Sequence, residues 1–206
     1  MCLMALTIHA RAVRPRVGYV DMGLSVKWAT CNLGATKPEE CGDYYAWGET
    51  QTKTSYDWPE YKWCNGTYDS LIKYNTKSSY GDVDDKTELD AADDVARVKL
   101  GGKWHIPTDA EWTELRTNCT WTWTTLGGMN GYKVTSKING NSIFIPAAGR
   151  MTDTYDYVGT LGFYWSASLV TVQPFRAWQV IIYADKVRRY QYFYRCHGFS
   201  VRPVTE

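Results

Sequence analysis

The carboxyl-terminal half of the chain is built from short runs in which polar and apolar residues alternate, interrupted by glycine and Asn-Gly pairs. The clearest runs are 121–125, 131–138 and 142–146, and the Asn-Gly pairs are Asn130-Gly131 and Asn139-Gly140. Alternation with a period of two predicts half-buried strands, and Asn-Gly favours the two-residue turn of a hairpin. Similar runs continue from 162 to 204, so this half is predicted to form many short antiparallel strands.

Only two segments carry helix signals. Thr108 and Glu111 form a capping box, which predicts a helix ending near Asn118 with Trp112 and Leu115 facing the core. A second helix is predicted over 91–98. Its N-cap would be Asp90, Asp93 and Asp94 would lie in its first turns, and Gly101-Gly102 would end it. Few helices, many short strands and long loops predict an α+β domain.

The first part of the chain suggests one domain preceded by a tail. Residues 1–19 have no periodicity and are interpreted as a flexible arm. Residues 20–29 alternate like paired strands around a glycine turn, and the domain is predicted to span 20–206. Residues 34–81 lack a helical period and are rich in Gly, Thr, Ser, Asn, Tyr and Trp, which predicts a long irregular region held by aromatic rings.

Charge and hydropathy exclude two classes of partner. The chain has 23 Lys plus Arg against 22 Asp plus Glu, whereas a nucleic-acid-binding protein concentrates positive charge. No apolar run approaches the roughly 20 residues that cross a bilayer, so no membrane insertion is expected. The apolar stretch 1–8 makes a poor signal peptide. Six cysteines without C-x-x-C spacing are expected to be free thiols in preference to disulfides (Cys2, Cys31, Cys41, Cys64, Cys119 and Cys196).

Sequence signatures of the common enzymes are missing. There is no G-x-S-x-G, H-E-x-x-H or G-x-x-x-x-G-K-[ST] pattern. The three histidines His9, His105 and His197 are far apart, and His105 is interpreted as a structural imidazole. No cofactor is expected except, as the less favoured alternative, calcium on the acidic run of Asp82, Asp84, Asp85, Glu88, Asp90, Asp93 and Asp94. That run lacks the register of an EF-hand loop, and a solvated loop with helix-capping carboxylates is favoured.

Several phrases, in order along the chain, resemble one family of bacterial domains. They are VDMGLSVKWATCN at 20–32, GDYYAWGE at 42–49, WHIPTDAEW at 104–112, IPAAG at 145–149, YWSAS at 164–168 and GFSVRPV at 198–204. Together they cover about residues 20–204 and are similar to Bacteroidetes-type members of the sulfatase-modifying-factor superfamily, with His105 where arginine is usual. The resemblance implies a C-type-lectin-like α+β fold of the formylglycine-generating-enzyme subtype. The enzymes of that superfamily use a cysteine pair near the carboxyl end, where this chain has Cys196 alone.

A more specific resemblance is to the variable proteins of diversity-generating retroelements, which carry diversified residues before a constant carboxyl-terminal block. In them a reverse transcriptase mutates adenines, mostly in Asn codons, and Lys, Gln, Glu, Met and Trp cannot arise. The resemblance implies a variable region of about 169–197 between YWSAS and GFSVRPV. Its reachable, ligand-binding positions are Val170, Val172, Phe175, Arg176, Val180, Ile182, Tyr183, Val187, Arg189, Tyr190, Tyr192, Phe193, Arg195, Cys196 and His197. The unreachable types Gln173, Trp178, Gln179, Lys186 and Gln191 would be framework.

The side chains of this region favour a binding surface over a buried strand. Residues 190–195 are aromatic on both faces of any strand, and Tyr and Arg often anchor interfaces. The apolar run Val180 to Ile182 is the weakest part of this interpretation, because it fits a core strand equally well. The expected partner is a protein or other cell-surface ligand, which places the domain outside a cell, at a cell surface or on a phage particle, with its export signal elsewhere.

Two other functions fit the sequence less well. One is an oxidase of the formylglycine-generating type that uses Cys196 with a second thiol or copper. The other is a carbohydrate-binding surface adhesin whose aromatic faces stack on sugars. The favoured interpretation is a ligand-binding protein, not an enzyme.

Overall fold

A computed structural model describes residues 17–190 and 193–206 of the chain. Residues 1–16, most of the predicted tail, lie outside the described residues. Within the described residues the protein is mostly β-sheet with two helices, which confirms the α+β prediction at that level. The strands are β1 (Tyr19–Val20), β2 (Lys27–Ala29), β3 (Tyr44–Tyr45), β4 (Cys119–Leu126), β5 (Met129–Ser136), β6 (Ser142–Pro146), β7 (Arg150–Met151), β8 (Tyr155–Asp156), β9 (Gly162–Leu169), β10 (Ala177–Ile182), β11 (Val187–Tyr190), β12 (Phe199–Ser200) and β13 (Val204–Thr205). The helices are α1 (Val95–Leu100) and α2 (Asp109–Asn118), with a 3-10 turn at Ser78–Tyr80.

The strands form a five-stranded sheet, two three-stranded sheets and a hairpin. The largest sheet has the order β11-β10-β9-β12-β3, and all its pairs are antiparallel except β9 with β12. The smaller sheets are β1-β2-β13 and β4-β5-β6, and β7 pairs with β8. The pairing of β1 with β2 confirms the predicted strand pair at the start of the domain, and Gly23 takes a positive φ in its turn. The region 34–81 is irregular, as predicted, with only β3 and the 3-10 turn inside it.

The predicted turn at Asn130-Gly131 is wrong. Both residues lie inside β5, and the β4–β5 hairpin turns at Gly127 and Gly128, which both have positive φ as such a turn requires. A side chain on Gly131 would place its Cβ 2.4 Å from the carbonyl oxygen of Ile145 on β6. The glycine therefore serves close strand packing, whereas the other predicted turn, at Asn139-Gly140, is confirmed.

One helix prediction is confirmed and the other is corrected. Helix α2 has the expected capping box of Thr108 and Glu111, ends at Asn118, and buries Trp112 and Leu115. Helix α1 begins four residues later than predicted, because its N-cap is Asp94, whose carboxylate accepts hydrogen bonds from the amides of Ala96 and Arg97. Residues 91–93 form a turn before it, and Gly101 ends it as expected.

The five-stranded sheet is covered on both faces. Alternate side chains of β9 and β10 enter two different cores. On one side, α2 and the β4–β5–β6 sheet pack against Tyr164, Val180 and Ile182. Phe163, Trp165 and Ile181 pack on the other side with α1 and the irregular region. Strands buried on both faces lose the polar-apolar alternation that marks a half-exposed strand. This explains the continuous apolar run of β10.

Fully buried tryptophans connect parts of the chain that are distant in sequence. The indole N–H of Trp47 donates to the carbonyl oxygen of Ser166 at 2.8 Å, and that of Trp165 donates to Tyr45 at 2.7 Å. Trp112 donates to the carbonyl oxygen of Trp165 at 3.0 Å. Each ring fills core volume while its polar atom is satisfied by a distant strand. Much of the high tryptophan content therefore builds the framework that positions the carboxyl-terminal segment.

Candidate functional site

The segment 169–197 runs from the end of β9 through β10 and β11 and returns to the middle of the sheet. Its described residues form a loop at 170–176, the antiparallel pair of β10 and β11, and a turn at 193–198. Tyr192, and Gln191 beside it, lie outside the described residues. Because β10 is an inner strand and β11 is at the edge, the segment contains both core and surface positions.

Six of the predicted ligand-binding residues are buried, and the expectation that they face solvent is wrong. At most 8% of the surface of any of them is exposed, and they are Val170, Phe175, Val180, Ile182, Arg195 and Cys196. Val180 and Ile182 are covered because β10 has a core on each face. A side chain sealed in this way cannot contact a macromolecular ligand, so these six positions belong to the framework.

Arg195 is the clearest correction, because its guanidinium joins loops from across the chain. It donates to the carbonyl oxygens of Tyr74 at 2.8 Å, Pro174 at 2.9 Å and Lys73 at 2.7 Å. It forms no ion pair with a carboxylate in the described part of the chain. Burial lowers the pKa of its guanidinium. The residue is a structural clamp that holds the irregular region against the segment 169–197.

Cys196 is buried in a core cluster that contains a second thiol, which the sequence alone did not predict. Cys64, from the irregular region, belongs to the same buried cluster. Burial raises the pKa of the Cys196 thiol to about 12, so it is protonated at neutral pH. The five cysteines of the described residues are free, in line with the expectation for thiols, while Cys2 lies outside them.

The other predicted positions reach the surface to different degrees. Val172 is 60% exposed, Arg189 is exposed, and six others are half-buried: Arg176, Tyr183, Val187, Tyr190, Phe193 and His197. Tyr183, Tyr190 and Phe193 pack against the core on the α1 side of the large sheet. These side chains are therefore partly held by the core and partly accessible to solvent, as residues of binding interfaces often are.

Rings from four parts of the chain form one continuous aromatic belt around these positions. We define the aromatic belt as Tyr157, Phe163, Phe193, His197, Tyr194, Trp58, Phe175, Tyr68 and Tyr80. Each member has its ring centroid between 5.0 and 6.2 Å from that of at least one other member, the range of favourable ring contacts. Trp58 and Phe175 both contact Tyr194, and Tyr68 and Tyr80 both contact Phe175. Three members expose a large part of their surface: Tyr157 at 50%, Tyr68 at 47% and Tyr194 at 39%.

Most of the exposed part of the belt was missed by reasoning from the sequence. Trp58, Tyr68 and Tyr80 come from the irregular region, and Tyr157 follows the β7–β8 hairpin. The excess of Trp and Tyr in 34–81 was the available signal, but nothing local says which rings meet the segment 169–197. Tyr157 also has a φ of 63°, a left-handed conformation that is costly for a bulky residue and often marks a functional position.

Two arginines contact the faces of belt rings. The Arg150 guanidinium lies 5.3 Å from the Tyr157 ring centroid and 5.1 Å from that of Phe193, and it pairs with Asp156 at 3.5 Å. The Arg176 guanidinium lies 5.7 Å from the centroid of Tyr194. Cation–π contacts of this kind hold arginine side chains in fixed directions beside the rings. The belt thus presents charge and aromatic area together.

His197, at the centre of the belt, is uncharged at neutral pH. Burial, together with the positive charge of Arg150, lowers the pKa of its imidazole to about 4. Its Nδ1 atom has no hydrogen-bond partner among residues 17–190 and 193–206. His197 therefore acts in the belt as a neutral ring.

The acidic run considered for calcium has partners within the protein. Asp84 accepts from the amides of Tyr74 and Asn75, and Asp93 binds the ammonium of Lys73 at 2.6 Å. Asp94 caps α1. Within the described residues, no three His, Cys, Asp or Glu side chains are grouped as metal ligands. Asp84, Asp93 and Asp94 therefore stabilise loops and a helix, and calcium binding stays a prediction.

His105 has the structural environment that the sequence suggested. Its Nε2 lies 3.0 Å from Glu111, and its Nδ1 lies 3.0 Å from the carbonyl oxygen of Lys103. Burial alone would lower the pKa of His105, but these two partners outweigh it and the pKa is raised. The imidazole links the strand-like segment before α2 to the capping box of that helix.

The described residues also form cavities outside the belt, and two of them differ in the character of their lining. A polar cavity of about 230 Å³ is lined by Asp43, Thr52, Lys53 and Tyr155, among others. An apolar groove of about 330 Å³ lies against the β4–β5–β6 sheet, where it is lined by side chains that include Ile143. Neither involves the segment 169–197.

Comparisons with known proteins do not identify a family. No family model, curated protein or solved structure gave a significant match to the chain. Neither helix of the described residues has the length and apolar character needed to cross a membrane.

Proposed function

We propose that this protein is a receptor-like, ligand-binding module in which a constant C-type-lectin-like scaffold of the formylglycine-generating-enzyme subtype presents a retroelement-diversified surface. The ligand is a protein or another cell-surface molecule. The observation that carries the proposal is the aromatic belt, which joins Phe193, Tyr194 and His197 of the segment to exposed rings such as Tyr157 and Tyr68.

The physical properties of the belt suit recognition. Exposed Tyr and Trp rings bury a large area on contact and lose little side-chain entropy, because each has only two rotatable bonds. Arg150 and Arg176 add hydrogen-bond donors whose positions are fixed by ring contacts. Interface hot spots are enriched in these three residue types.

Burial divides the segment into framework and display positions. The display positions are Val172, Arg176, Tyr183, Val187, Arg189, Tyr190, Phe193 and His197, with Tyr192 retained from the sequence. The six buried positions, Arg195 and Cys196 among them, are framework, because replacement there would disturb the core. We therefore expect diversification only at codons that encode residues whose side chains reach the surface.

The DNA around the gene tests the retroelement part of the proposal. We expect a nearby repeat of the sequence encoding 169–197 that differs from the gene mainly at adenines. The differences should fall on the codons of display positions such as Val172 and Arg189, while the codons of Arg195 and Cys196 match in both copies. If no such repeat exists, diversification is wrong; differences concentrated at the buried codons would contradict the division into framework and display.

Binding tests the recognition part independently. Fluorescently labelled protein is measured by flow cytometry on a panel of intact bacterial cells, with Tyr194→Ala as the belt variant. Tyr19→Ala is the matched control, because Tyr19 is 56% exposed and lies on β1, outside the belt. We expect Tyr194→Ala to lose cell binding and Tyr19→Ala to keep it. Equal binding by both variants would contradict recognition through the belt.

The polar cavity favours carbohydrate binding as a second candidate function. Tyr155 is 67% exposed at its rim and can stack on a sugar ring, while Asp43 and Thr52 offer hydrogen-bonding oxygens. A glycan array separates this function from the first. Sugar binding that is lost in Tyr155→Ala and kept in Tyr194→Ala would favour the adhesin.

The oxidase alternative has weaker support. A catalytic or copper-binding thiol must be accessible and readily ionised. Cys196 is 1% exposed, and burial raises its pKa to about 12. These properties argue for a structural cysteine.

A further inference from the structure

The edge strand β11 has hydrogen-bonding groups that face away from the sheet. It is the last strand in the order β11-β10-β9-β12-β3, and it pairs with β10 so that Val187 faces Ile182 and Arg189 faces Val180. Within the described residues no strand pairs with its outer side. An unpaired edge of this kind can accept one more strand.

The register identifies which backbone groups point outward. The amide of Tyr183 donates to the carbonyl oxygen of Lys186 at 2.8 Å, so these two residues form a hydrogen-bonded pair. In an antiparallel ladder such pairs alternate with non-bonded ones, which places Val187 and Arg189 at non-bonded positions. Their N–H and C=O groups therefore point away from β10, and no backbone group of a described turn or loop bonds to them. Two such residues, spaced by two, match the repeat of an extended peptide.

The side chains along this edge are mainly cationic. Lys186 and Arg188 are both exposed and, being two residues apart, lie on the same face of the sheet as Tyr190. Arg189 projects to the other face, where its guanidinium lies 3.1 Å from the ring centroid of Trp178 and pairs with Asp109.

Nearby carboxylates neutralise only part of this charge. Asp109 pairs with Arg189, and Asp185 lies 3.2 Å from the ammonium of Lys186. Arg188 forms no ion pair among the described residues. Burial, with a smaller contribution from the charge of Arg189, lowers the pKa of Arg116 on α2. The edge therefore keeps an excess of positive charge.

We infer that β11 is a docking edge for an extended, acidic segment of a partner protein, which adds as a sixth strand to the large sheet. Its backbone bonds to the outward groups of Val187 and Arg189. Carboxylates two residues apart pair with Lys186 and Arg188 across the new strand boundary. The inference rests on the proposed function, whose ligand it specifies as a polypeptide with acidic residues at alternate positions.

Charge also selects among possible occupants of the edge. A second copy of β11 would bring Lys186, Arg188 and Arg189 against the same residues, and like charges directly opposite each other are destabilising. The edge thus disfavours self-association while it attracts an anionic strand. A nucleic acid shares the charge but cannot form a strand ladder with Val187 and Arg189.

The test uses an eight-residue fluorescein-labelled peptide in which Glu alternates with Thr. Binding to the full chain is measured by fluorescence anisotropy, and protection of the Val187 and Arg189 amides by hydrogen exchange. Comparison probes are a Lys–Thr peptide, an eight-nucleotide oligothymidine and two N-methylated forms of the Glu–Thr peptide. One form is methylated on the amides of its Glu residues and the other on the amides of its Thr residues. Arg188→Glu is the test variant, and Lys133→Glu, exposed on β5, is the matched control.

We expect the Glu–Thr peptide to protect both amides, to bind about tenfold more weakly to Arg188→Glu, and to bind the control variant unchanged. One of the two N-methylated peptides should lose binding. The inference is overturned if the Lys–Thr peptide or oligothymidine binds as tightly, if both N-methylated peptides bind normally, or if protection appears elsewhere. Loss of cell binding by Tyr194→Ala, with no peptide binding to β11, would leave the proposed function standing without this inference.

Discussion

The guanidinium of Arg195 donates a hydrogen bond of 2.9 Å to the carbonyl oxygen of Pro174, which joins the two ends of the segment predicted to vary. The same guanidinium also bonds to carbonyl oxygens of Tyr74 and Lys73 in the irregular region. One buried side chain thus fixes the loop before β10, the turn after β11 and the base of the aromatic belt. The surface formed by the display positions therefore depends on Arg195, although Arg195 is not part of that surface.

Replacing Arg195 with methionine should therefore destabilise the fold. The change removes the donors of two buried carbonyl groups and one partly buried one, and an unmade buried hydrogen bond costs about 1–3 kcal/mol. We expect Arg195→Met to lower the free energy of unfolding by about 3 kcal/mol or more, measured by urea denaturation. Arg189→Met, at the exposed edge, is the control and should cost about 1 kcal/mol or less. Similar losses in both variants would contradict the clamp.

The pair of His105 and Glu111 should stabilise the protein within a limited pH window. The partners of His105 raise its pKa above 6.5, so its contribution is present below pH 6.5 and is lost as the pH rises through the folded value. Burial tends to raise the pKa of Glu111, but His105 and Thr108 outweigh it and the pKa falls below 4.5. The contribution of Glu111 is therefore present above pH 4.5 and is lost as the pH falls through the folded value.

The two windows overlap between pH 4.5 and 6.5. We expect the stability difference between the native protein and His105→Gln to be largest there and smaller at an alkaline pH above the folded pKa of His105, where the imidazole is neutral in both states. Urea denaturation of both proteins, once within this window and once at the alkaline pH, measures the difference. A difference that grows towards alkaline pH would show that the pKa of His105 is not raised.

His197 should have the opposite effect on acid stability. The unfolded chain takes up a proton at this residue below pH 6.5, whereas the folded protein resists protonation until about pH 4. Stability is therefore lost as the pH falls through this interval, by on the order of 3 kcal/mol for a shift of this size. His197→Phe should flatten the stability profile between these values. An NMR titration that places the pKa of His197 near its ordinary value would refute the prediction.

Features governed by local chemistry were predictable from the sequence. Thr108 and Glu111 satisfy each other's amides three residues apart, so the start of α2 could be predicted without knowledge of the fold. Gly131 shows the limit of this approach. Its local signal was a turn, but its role is to let β6 approach, and only the position of Ile145 reveals that.

The candidate site was predicted in outline and corrected in detail for the same reason. Residues 190–197 contain three Tyr and one Arg, and both types occur on surfaces and in satisfied interiors. Arg195 is buried by contacts with Lys73 and Tyr74, and both of these residues lie more than 120 positions away in the sequence. Conversely, Tyr68 could not be assigned to the belt until the fold brought it to Phe175. Periodicity contains no information about such distant contacts.

Thiol reactivity provides a last prediction that separates a structural Cys196 from a catalytic one. Burial raises the pKa of Cys196 to about 12, so the native protein should contain almost no thiolate at this position near neutral pH. We expect iodoacetamide to modify Cys196 only as fast as the protein unfolds, with the extent of modification followed by mass spectrometry of peptides. Cys41, which is half-buried, serves as the internal comparison and should react before Cys196. Rapid modification of Cys196 in the folded protein would instead favour the oxidase interpretation, because catalysis at this residue requires an accessible thiolate.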